Sequence, residues 1–259
     1  MTSPRSAKIA ESFGARADSY ERHAALQRMV AERLASQLPD LKRPRVLELG
    51  CGTGLLTRHL LDTYPDGDFL ITDLSPEMIA TAEGNLNPPK TAKLTFDVMD
   101  AARVENVCRF DLITTSMSLH WLADPAAALT RLRERLNPGG ALLYSALGSE
   151  CFAEWRAALA SEGVRNGIVA IAPLPGCQDE ETLVMEESGL AFLQRLRAIG
   201  GLTPRDGYAP LSAGALRRVL RRLGKDHGGK VSWHIVYGRL SSIESSAAAS
   251  RSSPSMMPS

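Results

Sequence analysis

The sequence predicts an α/β fold: a doubly wound, mostly parallel sheet with helices on both faces. Three observations carry this. Between residues 45 and 147 short apolar runs alternate with amphipathic stretches, the rhythm of successive βαβ units. The first run is followed at once by Gly50-Cys51-Gly52-Thr53-Gly54, a glycine loop that opens a helix. Nineteen residues past Gly54, Asp73 closes the second run, which puts a carboxylate at the same end of the sheet as the loop.

Residues 1–8 read as a flexible polar leader. From Ile9 to Leu38 the pattern is helical, with Leu26, Val30 and Leu34 at i, i+4 and i+8. Pro39 and Pro44 stop it. RVLELG (45–50) is the first strand, and LLTRHLLDTY (55–64) an amphipathic helix. FLITDL (69–74) is the second strand. Ser75 then offers an N-cap and Pro76 a first helical residue, for a helix running to about Gly84. LTFDVM (94–99) and FDLITTSM (110–117) are the third and fourth strands. Asp124 and Pro125 start a helix to Leu136, and Asn137-Pro138-Gly139-Gly140 ends it. ALLYSAL (141–147) is the fifth strand. Beyond residue 148 helical patterns cover about 150–161, 180–200 and 212–223, before a last strand at 231–240. Residues 241–259 contain nine serines and no core pattern, which predicts a disordered tail.

The bulk composition excludes several classes. The 259 residues carry 30 Lys+Arg against 29 Asp+Glu, a net charge of +1, so no basic nucleic-acid binder is indicated. No apolar stretch suits a signal sequence or a membrane span. Cys51, Cys108, Cys151 and Cys177 form no C-x-x-C pair, and the five histidines have no metal-ligand spacing. No metal is expected, and a reducing cytoplasm is the default setting. Near-neutrality conceals opposed blocks. Residues 150–190 hold eight acids and two bases, and residues 195–230 nine bases and two acids.

Glycines after a first strand suit a ligand lying against the main chain, and a carboxylate at the end of the second strand can accept from ribose hydroxyls. A dinucleotide prefers G-x-G-x-x-G, whereas the spacing here is G-x-G-x-G preceded by Glu48. That spacing resembles motif I of the class I S-adenosylmethionine-dependent methyltransferases, which are Rossmann-like. Asp73-Leu74-Ser75-Pro76-Glu77-Met78 resembles the acidic strand end and turn of that class. Met99-Asp100 resembles its adenine-edge position, and Asn137 to Gly140 the turn before its fifth strand. The ends of the chain are similar to one branch, the malonyl-[acyl-carrier protein] O-methyltransferases of biotin synthesis. Phe13-Gly14, Ala17 and Tyr20, followed by Ala24-Ala25-Leu26-Gln27, match its N-terminal segment. Leu196 to Pro204, Pro210 to Leu216 and Trp233 to Gly238 match its C-terminal half. His120-Trp121 stands where members often carry Gln-Trp.

The resemblance implies one domain over 9–240: N-terminal lid helices (9–44), a cofactor-binding core (45–147) and substrate-side helices with a closing strand (148–240). It implies S-adenosylmethionine as cofactor, bound by Gln27, Glu48, Gly50, Cys51, Gly52, Gly54, Asp73, Leu74, Met78, Met99, Asp100 and Ser116. The implied reaction methylates the free carboxylate of malonyl-loaded acyl carrier protein. A carboxylate is already ionised at pH 7, so no general base is needed, and positioning carries the rate. Tyr20 on the lid and His120 are the candidate catalytic residues, with Trp121 bordering the substrate. Arg16 and Arg28 are candidates to guide an anionic substrate. Helix 215–223 gathers Arg217, Arg218, Arg221 and Arg222 within an arc of about 140°, opposite Leu216, Val219, Leu220 and Leu223. That arc suits either a solvated face or docking of the acidic carrier protein. A monomer is expected. Two other readings stay open: a methyltransferase acting on a free small polycarboxylic acid, and a non-catalytic methyltransferase-like assembly factor.

Overall fold

The computed structural model describes residues 4–101, 104, 107–168, 171–185, 188–199 and 207–243. The N-terminal segment is three helices rather than one: α1 (Pro4–Gly14), α2 (Ala17–His23) and α3 (Ala25–Ala35). Residues 4–8, read above as leader, are the start of α1. The first break follows Gly14. A Cβ there would lie 2.5 Å from Glu77 Oε2 and 2.9 Å from Ser75 Oγ, so a side chain would hold the helix end off the sheet. The second break is Ala24 (φ −95°, ψ 32°), which neither Gly nor Pro announces.

The predicted βα rhythm follows. β1 (Arg45–Leu49), α4 (Leu55–Thr63), β2 (Asp68–Asp73), α5 (Pro76–Asn85), β3 (Lys93–Val98) and β4 (Phe110–Ser116) lead to a 3-10 turn at Leu119–Trp121 and α6 (Pro125–Arg133). Both predicted caps form. Ser75 Oγ accepts from the Met78 N–H at 3.2 Å, and Asp124 Oδ1 from the Ala127 N–H at 2.9 Å.

β5 runs Leu136–Leu147, longer than expected. α6 stops at Arg133 rather than Leu136, and Asn137 to Gly140 do not end it but lie inside β5, where the register shifts against β4. Asn137 Nδ2 donates to Asp111 Oδ1 (2.8 Å), and Gly139 takes φ 78°. After α7 (Ala153–Ser161) comes a second correction. Cys177–Met185 is a strand, β6, where a helix was expected from 180. Its inward residues are Asp179, Glu181, Leu183 and Met185; two of the four are acidic, which hid the period of two. These acids have partners. Arg33 of α3 reaches Asp179 (2.6 Å) and Glu181 (3.1 Å), and Tyr237 Oη donates to Glu181. α8 (Gly189–Ala198), α9 (Ala213–His227) and β7 (Val231–Ser241) complete the described chain. Ser241 therefore belongs to the sheet and not to the tail, of which residues 244–259 lie outside the described residues.

The seven strands lie in the order β3-β2-β1-β4-β5-β7-β6. The first five are parallel, whereas β7 runs antiparallel to both β5 and β6. Successive strand residues face opposite layers. Val46, Leu112, Leu143 and Ile235 join one core with α3 and α4, while Leu47, Ile113, Leu142 and Val236 join the other with α6. Strand order reverses between β1 and β4, so a crevice opens above their carboxyl ends, where such sheets bind ligands. Among the described residues no helix is long and apolar enough to cross a membrane.

Candidate active site

The glycine loop shows why it must be glycine. Gly50, Gly52 and Gly54 take φ of 67°, 55° and 90°, a region that side-chain-bearing residues rarely adopt. A Cβ on Gly50 would also lie 2.7 Å from Ser118 Cβ, whereas one on Gly52 would meet nothing within 4 Å and would fill open space. The loop is tied to β2, since the Cys51 N–H donates to Thr72 O at 2.9 Å. Gly54 sits behind the crevice as the N-cap of α4 and does not line it.

Asp73 ends β2 facing the loop. One carboxylate oxygen accepts from the Gly52 N–H and the other from the Ser75 N–H, both at 2.9 Å. A carboxylate offers about four lone-pair sites, so capacity remains for a diol. Burial nonetheless pushes its pKa up, which the two amides oppose. Glu48 is 1% exposed at the base of the crevice, where Thr57 Oγ1 donates to it at 2.7 Å. Burial pushes its pKa up to about 7, so it is only part ionised near neutrality. Burial likewise raises the Cys51 thiol, which leaves no thiolate chemistry in the loop.

Around these residues lies a crevice of about 140 Å³. Gln27, Glu48, Gly50, Cys51, Gly52, Asp73, Leu74, Met78, Met99, Asp100 and Ser116 all line it, so the structure gathers eleven of the twelve cofactor candidates. Thr53 also lines it, with a buried hydroxyl that has no hydrogen-bond partner among the described residues, and nothing in the sequence marks that residue out. The lid crosses above. Glu21 on α2 holds Arg58 of α4 at 2.5 Å and Asn85 of α5 at 3.2 Å. Ser6, Ile9 and Phe13 of α1 then close the crevice from outside. Tyr20 lines it as well; burial and the Asp73 carboxylate hold its phenol protonated.

A second cavity of about 500 Å³ abuts the first. Phe152, Trp155, Leu159, Phe192, Leu196 and Leu216 give it an apolar wall drawn from α7, α8 and α9. Five side chains line both cavities: Phe13, Tyr20, Gln27, Met117 and Trp121. Phe13 meets Trp121 edge-on at 5.4 Å and Tyr20 at 6.3 Å. Met117 holds φ 55° at the end of β4, a strained backbone for a non-glycine, and no sequence signal foretells it. Phe13 belongs to the quoted N-terminal pattern but was not singled out. His120 lines only the second cavity. Burial and the Arg5 charge pull its pKa down to about 4, so it is neutral at pH 7.

Other candidates lie elsewhere. Arg16, between α1 and α2, donates to Ser12 O of α1 (2.6 Å), and Arg28 to Glu21 O (3.2 Å), while Arg5 is a cation that lines the second cavity. On α9, Arg217, Arg218 and Arg221 are exposed and Arg222 is half-buried. Arg218 pairs with Glu162 (3.3 Å) and Arg222 with Asp226 (3.0 Å). Leu216 of the same helix reaches the second cavity, so the arginines lie on a helix that borders it.

Comparison with known proteins agrees with this architecture. Residues 47–142 match a family described as a methyltransferase domain. A biotin biosynthesis bifunctional protein BioCD of Bordetella avium is 40% identical over 243 residues, 89% of this chain; the chain spans 51% of that longer protein. A malonyl-[acyl-carrier protein] O-methyltransferase of Magnetococcus marinus is 36% identical over 250 residues, covering 90% of this chain and 92% of its own. A solved putative methyltransferase from Bacillus halodurans shares the fold, with a TM-score of 0.55 at 13% identity over 82% of this chain and 99% of its own. The full-length match to the Magnetococcus protein, joined to the glycine loop and Asp73, places the chain in the malonyl-[acyl-carrier protein] O-methyltransferase family of S-adenosylmethionine-dependent class I methyltransferases.

Proposed function

We propose that the chain methylates the free carboxylate of a malonyl thioester carried on acyl carrier protein, giving the ester that primes pimeloyl synthesis on the way to biotin. One observation carries the reading beyond family membership. The crevice that holds Glu48 and Asp73 and the larger apolar cavity share a wall of five side chains, so a ligand in each would meet at that wall. S-adenosylmethionine, when bound in the crevice, would supply a methyl carbon open to in-line attack by a carboxylate oxygen, the C–S bond breaking as the O–C bond of the ester forms and the neutral thioether leaving.

The chain's own residues support that ligand in the crevice. Asp73 has lone pairs free for a ribose diol, and Leu74 and Met78 offer apolar contact beside it. Met99 and Asp100 stand at the carboxyl end of β3 for the adenine edge. The Gly50–Gly52 backbone leaves room for close approach, and the orphan Thr53 hydroxyl and Gln27 amide suit a polar amino-acid end. Glu48 and Ser116 complete the base of the crevice. Tyr20, protonated and on the lid, is placed to orient and to exclude water. His120 is neutral and so adds no charge that would compete with the sulfonium. Positioning of this kind is worth roughly 7–11 kcal/mol in well-oriented reactions.

The carrier protein is the partner this reading requires. The exposed arginines of α9 beside the cavity give it a basic approach. Four free cysteines support a reducing, cytoplasmic setting. Mass spectrometry of malonyl-carrier protein after incubation with enzyme and S-adenosylmethionine tests the proposal. A gain of one methyl group is expected. An unchanged mass, with cofactor binding shown by calorimetry, would redirect the substrate to a free polycarboxylic acid. Absence of cofactor binding at millimolar ligand would leave an assembly factor.

A further inference from the structure

The larger cavity holds a feature that an apolar acyl site does not need. Among the described residues its lining is apolar except for Arg5, Tyr20, Gln27, His120, Tyr208 and the indoles of Trp121, Trp155 and Trp233. Arg5 Nε and Nη2, His120 Nδ1 and Trp233 Nε1 are buried and have no hydrogen-bond partner among the described residues. Arg5 is half-buried, and leaving two of its three guanidinium nitrogens out of water and unpaired is costly, a cost that an anion normally offsets. Among the described residues no carboxylate side chain lines this cavity. These nitrogens therefore offer a place for the anionic group of a ligand.

We propose that Arg5 is the receptor for the free carboxylate of the substrate, with neutral His120 beside it as a second, uncharged hydrogen-bonding group. The assignment rests on the malonyl thioester reading above. A guanidinium presents a planar fork that matches a carboxylate, and one oxygen of that carboxylate can be held while the other faces the cofactor crevice. Arg5 stands on the same helix as Ser6, Ile9 and Phe13, which line the cofactor crevice. Helix α1 thus links recognition of the carboxylate to closure over the cofactor. The arrangement also separates substrate from product. Methylation removes the one negative charge that Arg5 recognises, so the ester loses its hold. An acetyl thioester, which lacks the carboxylate, is refused for the same reason.

The test compares wild type, Arg5→Gln and Arg5→Lys in the full chain. Malonyl-pantetheine and its neutral methyl ester are used as ligands, and the affinity of each is read by calorimetry with S-adenosylhomocysteine present. Wild type should prefer the carboxylate by about 30- to 300-fold, the usual cost of leaving a buried charge unpaired. Arg5→Gln should bring the two affinities within about fivefold of each other, and Arg5→Lys should restore part of the preference, since charge returns without the fork. Affinity for S-adenosylhomocysteine should stay within about threefold in both variants, because Arg5 does not line that crevice. If Arg5→Gln keeps the full preference, or loses nucleoside binding in step with it, the receptor assignment falls and Arg5 is structural. If wild type methylates malonyl-carrier protein yet binds acid and ester alike, the assignment falls while the reaction stands. If wild type binds no malonyl thioester at all, the substrate reading falls, and this inference with it.

Discussion

The crevice above β1 and β2 takes its shape from main-chain conformation at the glycine loop, whereas the cavity under α7, α8 and α9 takes its shape from side chains. In the first, three left-handed glycines and two amides on Asp73 set the shape. In the second, aromatic and aliphatic side chains from three separated helices enclose about 500 Å³ beside Arg5. A backbone-built site needs particular residues at particular spacing, because only glycine tolerates those dihedrals. A side-chain-built cavity needs only volume and apolarity, which many sequences supply. The same fold therefore offers a fixed cofactor half and an adjustable substrate half.

The two halves should pull stability in opposite directions as pH changes. Glu48, at the base of the crevice, has its pKa raised from 4.5 to about 7 by burial. The folded state then holds more protons than the unfolded, so stability falls as pH rises across that window. His120, in the cavity, has its pKa lowered from 6.5 to about 4. Here the unfolded state holds more protons, and stability rises between pH 4 and 6.5. Each contributes at most roughly 3 kcal/mol, and in wild type they largely offset. Removing one should unmask the other. Denaturant unfolding of Glu48→Gln between pH 4.5 and 7 should show stability climbing more steeply with pH than wild type, and His120→Gln should show it falling. Parallel profiles for the three proteins would show that neither group is buried as described.

Next in size is the crevice itself. Asp73→Ala removes a carboxylate that binds two amides and faces the space left for a diol. Cofactor affinity should drop about 30- to 100-fold, since charge-assisted bonds are worth roughly 1.5–3 kcal/mol. Calorimetry with S-adenosylhomocysteine reads this directly, and a loss below threefold would remove Asp73 from the site. The lid offers a smaller effect. Gly14→Val places a branched side chain where even a Cβ meets Glu77 and Ser75. Helix α1 should lift, raising KM for both cofactor and substrate about tenfold, a cost of about 1.4 kcal/mol. A rise confined to one ligand would show that α1 does not serve both halves.

The contrast also explains what could be read in advance. Gly50 to Gly54, Asp73, the Ser75 and Asp124 caps and all five parallel strands were legible, because dihedral and capping requirements act within a few residues. The long helix over 9–38 was not divided correctly. Its break at Gly14 depends on contact with Glu77 and Ser75, 61 or more positions away. The β6 strand was mistaken for helix because Asp179 and Glu181 face inward toward Arg33 and Tyr237, so polarity no longer marked the exposed side. Arg5 escaped notice for a similar reason. A polar opening segment reads as a leader until α1 is seen to cover a cavity, and in the sequence alone Arg16 and Arg28 are equally suitable.

The smallest expected effect lies at the rim, where the substrate half meets its partner. Of the four arginines on α9, Arg218 and Arg222 already hold Glu162 and Asp226. Reversing those two would disturb the fold as well as any docking. Arg217 and Arg221 are exposed and form no ion pair among the described residues, so they are the cleaner probe. Replacing both with Glu should raise KM for malonyl-carrier protein about five- to tenfold at low salt, because rim charges act mainly on encounter. The difference should shrink as ionic strength rises and the Debye length contracts. Malonyl-pantetheine, which lacks the acidic protein, should be turned over as in wild type. Equal loss on both substrates would mean that α9 supports only the cavity wall through Leu216, and that the carrier protein approaches from another face.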